Sequence, residues 1–136
     1  MNASSFPPEL QLDCGPVTAV DLALFAAASG DHNPLHLDAQ VARSAGFDRP
    51  VVHGMLTMAY VARLFTRHFG AGSVRTLATR FTGIAKLGDA VLLKAKLQRV
   101  EDGLGHYTLQ AMVAGGEVAS GSASVAGALN STSCNS

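Results

Sequence analysis

Residues 29–55 read SGDHNPLHLDAQVARSAGFDRPVVHGM, and the rest of the chain is read outward from them. Three of the five histidines lie here, with Asp31, Asp38 and Asp48. In Asp31-His32-Asn33-Pro34-Leu35-His36, Asp and Asn bond back to their own backbone and Pro fixes φ, so the chain turns. A turn of this kind aims the Asp31 carboxylate and the His36 imidazole at one point. A carboxylate and an imidazole so placed are a base and an acid that share one water molecule. The same residues also fit a plainer reading, with Asp31 capping a helix and His36 half-buried in the core.

The second half of the stretch favours chemistry. Val51-Val52-His53-Gly54-Met55 runs directly into a long apolar helix. Gly54 lets another group approach the backbone closely. The first N–H groups of a helix have no intrahelical partner and lie at its positive end. Backbone alone thus makes a site for charge developing on a carbonyl oxygen. His53 reads either as a third catalytic group or as a structural one bonding backbone at the turn, and the structural role is expected. Phe47 is either an apolar wall over the site or an anchor for its loop.

The pattern A-x-x-S-G-D-H-N-P-L-H-x-D, followed by A-G-F-x-R-P-V-V-H-G-M-L, resembles the hydratase motif of the MaoC-like family. The similarity is dense from Phe25 to Leu56 and continues weakly through Arg80-Phe81 and Gly88-Asp89 towards Val125. It implies an α+β hot-dog fold, a curved antiparallel sheet wrapped around one long central helix. Short members of the family are (R)-specific enoyl-CoA hydratases, hydro-lyases of fatty acid metabolism. By resemblance, Asp31 and His36 hold the catalytic water and the Gly54 N–H binds the thioester oxygen. A homodimer with a shared substrate channel is also implied, and the expected ligand is an acyl-CoA thioester. Two positions depart from the pattern. Ile84-Ala85 stand where short relatives often carry Pro-Val, and Ala62 stands where some carry a serine near the acyl group. The second leaves chain-length preference open.

At 136 residues the chain predicts one domain, residues 1–127, with a flexible Ser/Asn-rich tail at 128–136. Hydrophobic residues make up 48%, enough for a core. Ten basic and ten acidic residues balance, so neither a nucleic-acid surface nor strong attraction to anionic lipid is expected. Cys14 and Cys134 suggest no disulfide, and no Cys/His zinc spacing occurs. The N-terminus lacks the basic and apolar regions of a signal peptide, and no apolar run has the length of a membrane span. A cytoplasmic protein is the expectation.

In chain order, Leu10–Val17 predicts a short strand ended by Gly15-Pro16. Thr18 opens a helix through a capping box in which Asp21 replaces the usual Glu; Leu22, Phe25 and Ala26 form its buried stripe and Gly30 ends it. Asp38–Ser44 predicts a second helix capped by Asp38. Gly54–Phe69 is the central helix, about 24 Å long at about 1.5 Å per residue. Its expected stripe is Met55, Met58, Ala59, Ala62, Phe65 and Phe69, with Leu56, Tyr60 and Val61 making its first half enclosed. Residues 74–82, 90–101, 106–114 and 117–126 predict strands separated by Gly-containing turns.

Water, acid and base suffice for the implied reaction, so no cofactor is expected. A phosphorylated carrier asks for a cation near the channel, for which Arg80, Lys86 and Arg67 are candidates, each equally readable as a solvated charge. Three other functions compete. One is dehydration of a 3-hydroxyacyl chain on acyl carrier protein. Another is a metal site built from His32, His36, Asp31, Asp38 and His53, against which Pro34 interrupts the helix that would align the two nearer histidines. The last is a non-catalytic thioester-binding subunit.

Overall fold

The computed structural model describes residues 6–127; the expected tail at 128–136, with Cys134, lies outside the described residues. The elements are β1 (Glu9–Pro16), α1 (Ala19–Ser29), a 3₁₀ turn (Pro34–His36), α2 (Ala39–Ser44), α3 (Gly54–Phe69), β2 (Val74–Phe81), β3 (Ala90–Glu101), β4 (Leu104–Val113) and β5 (Gly116–Ala126). All strand pairings are antiparallel, in the order β1-β3-β4-β5-β2. Helix α3 lies against all five strands, giving the hot-dog arrangement that the resemblance implies.

Local chemistry sets the helix ends. Thr18 Oγ1 accepts the Asp21 N–H at 3.1 Å, and Asp21 Oδ2 accepts the Thr18 N–H at 2.9 Å. This capping box satisfies two orphan donors and is worth about 1 kcal/mol. Gly30 takes φ 80°, the left-handed conformation that ends α1 and turns the chain into Asp31. Asp38 caps α2 through the Gln40 and Val41 N–H groups.

The sheet is built from local and distant pairings. β3, β4 and β5 form a meander, and Asp102 (φ 56°) with Gly103 (φ 77°) makes its first tight turn. Positive φ at both positions is the geometry that matches strand twist in a two-residue hairpin. Leu93 and Ala95 point inward while Lys94 and Lys96 face water. Both strands from outside the meander take the edges. β1 pairs with β3, setting Leu12 opposite Leu93, and β2 pairs with β5.

One expectation about α3 is corrected. Its buried face runs through Leu56, Thr57, Val61, Leu64, Phe65 and Phe69, whereas Met55 is 58% exposed and Ala59 is also exposed. The helix is apolar on two sides, and the sheet covers only one of them. Phe65 and Phe69 pack against Tyr107 of β4 at ring separations of 5.6 and 6.1 Å. Tyr107 donates its hydroxyl to the Pro7 carbonyl at 2.8 Å, and burial pushes its pKa up to about 12. No helix among the described residues is long and apolar enough to cross a membrane, which says nothing of strands.

Candidate active site

The turn after α1 is held by its own short polar side chains. Ser29 Oγ accepts the Asp31 N–H at 3.2 Å, Asp31 Oδ1 accepts the Asn33 N–H at 3.3 Å, and Asn33 Oδ1 accepts the Leu35 N–H at 3.0 Å. These successive bonds coil the backbone into the 3₁₀ turn, where Pro34 occupies the first position at no cost in donors. Asp31 therefore spends one carboxylate oxygen on its turn and keeps the other. That second oxygen, Oδ2, lies 3.6 Å from His36 Nε2.

This separation is too long for a good direct hydrogen bond. A water molecule about 2.8 Å from each atom would complete a triangle with them. The side chain of His36 is 12% exposed and that of Asp31 51%. His36 Nδ1 lies 2.7 Å from the Val51 carbonyl oxygen. A carbonyl only accepts, so Nδ1 carries a proton and Nε2 is the atom free to exchange one. The expected pair is thus brought together, with its tautomer fixed by backbone.

His53 lies beneath the pair. It is 1% exposed, and its ring stacks on His36 at 3.8 Å between centroids and 23° between planes. Phe25 of α1 meets it edge-on at 4.9 Å. His53 Nε2 lies 3.2 Å from the Asp31 carbonyl oxygen, so Nε2 bears the proton and donates it. Burial lowers the His53 pKa, and the nearby His36 acts in the same direction. The Asp31 carbonyl and carboxylate oppose them.

Helix α3 begins one residue after His53, which caps it without a side-chain hydrogen bond. The Leu56 and Thr57 N–H groups reach the His53 carbonyl. No acceptor among the described residues meets the Gly54 N–H, leaving it at the positive end of a sixteen-residue helix. The Phe81 ring, at the end of β2, stands over Gly54. A Cβ there would lie 3.2–3.4 Å from three of its ring carbons.

The approach to α3 is braced from the other side of the chain. Val52 N–H reaches the Ala85 carbonyl at 2.8 Å, and Leu87 N–H reaches that of Pro50 at 2.9 Å. Arg49 donates to the Leu87 carbonyl at 2.8 Å and pairs with Asp89 at 3.3 Å. Sequence reading missed this Arg49–Asp89 brace and the Phe81 cover, because both join segments more than 25 residues apart. The half-buried Phe47 sends its backbone N–H to Ala42, consistent with a loop anchor.

The cation candidates divide. Lys86 is tied to Asp48 at 2.8 Å. Arg67 lies thirteen residues along α3 from Gly54, about 20 Å away at the helical rise. Arg80 adjoins Phe81 and has no ion pair among the described residues. As for metal, Asp31, His36 and His53 each place a ligand atom within 4.8 Å of the others. Stacked imidazoles direct their in-plane lone pairs side by side rather than at one ion, however, and zinc asks for nitrogens converging at about 2.0–2.1 Å. Of the other two residues weighed for such a site, His32 stands outside this group and Asp38 is engaged as a cap.

Comparison with known proteins gives a consistent picture. The model of the MaoC like domain matches residues 8–120. The (R)-specific enoyl-CoA hydratase of Aeromonas caviae is 46% identical over 57 residues, 41% of this chain and 42% of that protein. The chain thus aligns with less than half the length of that relative. The 3-hydroxyacyl-thioester dehydratase Z of Mycobacterium tuberculosis is 32% identical over 109 residues, covering 76% of this chain and 72% of that one. Among solved structures, an (R)-hydratase from A. caviae involved in PHA biosynthesis superposes with a TM-score of 0.80. It is 29% identical, and the match covers 87% of this chain and 92% of that one.

Proposed function

The chain belongs to the MaoC-like domain family, and from that premise we propose that it is an (R)-specific enoyl-CoA hydratase. It adds water reversibly to a trans-2-enoyl-CoA to give an (R)-3-hydroxyacyl-CoA. The observation that carries this reading is the 3.6 Å approach of Asp31 Oδ2 to His36 Nε2, with His53 linking both to the start of α3.

In the forward direction the water oxygen bonds to C3 and gives up a proton, while a proton arrives at C2. Asp31 Oδ2 takes the first. His36, entering the cycle as the imidazolium with a proton on Nε2 as well as on Nδ1, holds the same water and delivers the second. The roles exchange without altering the product. Proton transfer between the two groups restores the starting state, so the cycle needs no cofactor or metal. Charge developing on the thioester oxygen is received by the Gly54 N–H and the helix dipole; one such donor is worth about 3–4 kcal/mol of barrier.

Asp31→Asn tests this directly. General acid–base groups contribute about 10²–10⁴-fold, so hydration of crotonyl-CoA should fall by at least about 100-fold while circular dichroism is unchanged. Undiminished turnover would end the reading. The name of the M. tuberculosis relative favours a second reading, dehydration of a 3-hydroxyacyl thioester, with acyl carrier protein as a carrier to be compared. Relative rates on coenzyme A and carrier-protein thioesters distinguish the two. Chiral analysis of products across acyl lengths defines the substrate.

The working unit we propose is a cytoplasmic homodimer. In support, β1 and β2 leave sheet edges that call for cover. Met55, Phe81 and Ile84 are also exposed apolar residues at the start of α3 and the end of β2.

A further inference from the structure

We propose that His53 is the positioning residue of this site, a buried imidazole that sets both the place of Asp31 and the orientation of His36. The inference rests on the function proposed above and deepens it. Three contacts meet in this one residue, two through its ring and one through its backbone. Its Nε2–H holds the Asp31 carbonyl at 3.2 Å, so it fixes the backbone that carries the carboxylate. Its face carries the His36 ring at 3.8 Å, so it sets the plane in which Nε2 of His36 points at Asp31. Its own backbone caps α3, so the same residue fixes where the Gly54 N–H begins.

Neutrality follows from where the ring's two nitrogens lie. Nε2–H is already committed to a carbonyl. Nδ1 is buried and meets no hydrogen-bonding partner among the described residues. A proton placed on Nδ1 would therefore be buried without an acceptor, which is costly. Asp31 and His36 are the titratable groups that bear on His53, and Phe25 of α1 presents only an apolar edge. A charge on His53 would also stand face to face with any charge on His36 across 3.8 Å. The two rings thus divide their duties: His36 exchanges protons, and His53 holds still beneath it.

Two variants separate the duties of His53. His53→Phe keeps an aromatic face and loses the donor; His53→Gln places an amide donor near the position of Nε2 and loses the ring. For His53→Phe, kcat on crotonyl-CoA should fall by up to about 100-fold, the cost of a misplaced group, with KM little changed. His53→Gln should recover part of that loss. Nitrogen-15 spectra give a readout besides turnover. In the native protein His53 should show a bare Nδ1 that stays unprotonated below the ordinary histidine range, and His36 a single Nδ1–H tautomer. In His53→Gln, which removes the stacked face, the His36 signals should broaden as its ring loses the plane that keeps Nδ1 on the Val51 carbonyl. Unaltered kcat in a folded His53→Phe protein, or a protonated Nδ1 in the native one, overturns the proposal. If the native protein hydrates no thioester, the proposed function falls by itself, and the His36 signals in His53→Gln still decide the role of His53.

Discussion

At the scale of single residues, the site divides into groups that react and groups that hold. Gly54 belongs to both. Gly54→Ala retains the N–H that receives the oxyanion, but its methyl group meets the Phe81 ring at 3.2–3.4 Å. Overpacking of this order costs about 1 kcal/mol at its low end, against a gain of about 1 kcal/mol from replacing glycine in a helix. Thermal stability should therefore barely move, while kcat/KM falls about tenfold, the equivalent of ~1.4 kcal/mol. Adding Phe81→Ala should restore most of it; steady-state kinetics of the single and double variants check this. His53 governs a second outcome, the acid sensitivity of folding. Its native pKa is depressed from 6.5, so below that pH the unfolded chain binds a proton that the native chain refuses. Stability is full above about pH 6.5, falls as pH drops through it, and levels off where the native ring finally charges. Urea titrations across pH should show this slope in the native protein and a shallower one in His53→Phe. The approach of Asp31 to His36, the unpartnered Gly54 N–H at the helix start and the backbone bond of His53 were legible in the sequence because a turn and a helix start announce themselves locally. The His36–His53 stack and the Phe81 cover were not, since each depends on where a distant segment arrives.

At the scale of elements, end signals proved more readable than faces. The α1 capping box, the Gly30 stop and both limits of α3 follow from residues within one turn of each end. The buried side of α3 does not, because Met55 and Ala59 are as apolar as Val61 and only the sheet chooses between them. The strands tell a similar story. Their alternation was visible in Leu93, Lys94, Ala95 and Lys96, whereas β4 begins two residues earlier than its pattern suggested, at Leu104. One element-level contact is unusually sharp. A Cβ on Gly121 of β5 would run into the Ala78 carbonyl oxygen of β2. Gly121→Ala should force β2 outward and cost about 3 kcal/mol, the upper part of the overpacking range. Chemical denaturation measures the loss, and hydrogen exchange should place it in β2. Because β2 carries Phe81, turnover should fall with it.

At the scale of the whole molecule, hairpin signals were enough to arrange β3, β4 and β5. They could not assign β1 and β2 to opposite edges, since that choice is made by pairing across most of the chain. The sheet order was therefore not legible in the sequence and comes from the structure. The proposed dimer makes a mass prediction: sedimentation should give twice 14.0 kDa. A monomer retaining full hydratase activity would remove the second subunit from the channel.

Both imidazoles are anchored to main-chain oxygens, those of Val51 and Asp31. Such an anchor does not depend on the identity of the side chain that bears it, so apolar replacements of the buried Val51 should stay active while charged residues and proline there should not. The vulnerable quantity is length. The segment between His36 and Val51 spans the whole of α2, and one codon gained or lost there would move the anchoring oxygen away from its ring. Selection on this loop should therefore tolerate spelling changes and reject insertions and deletions.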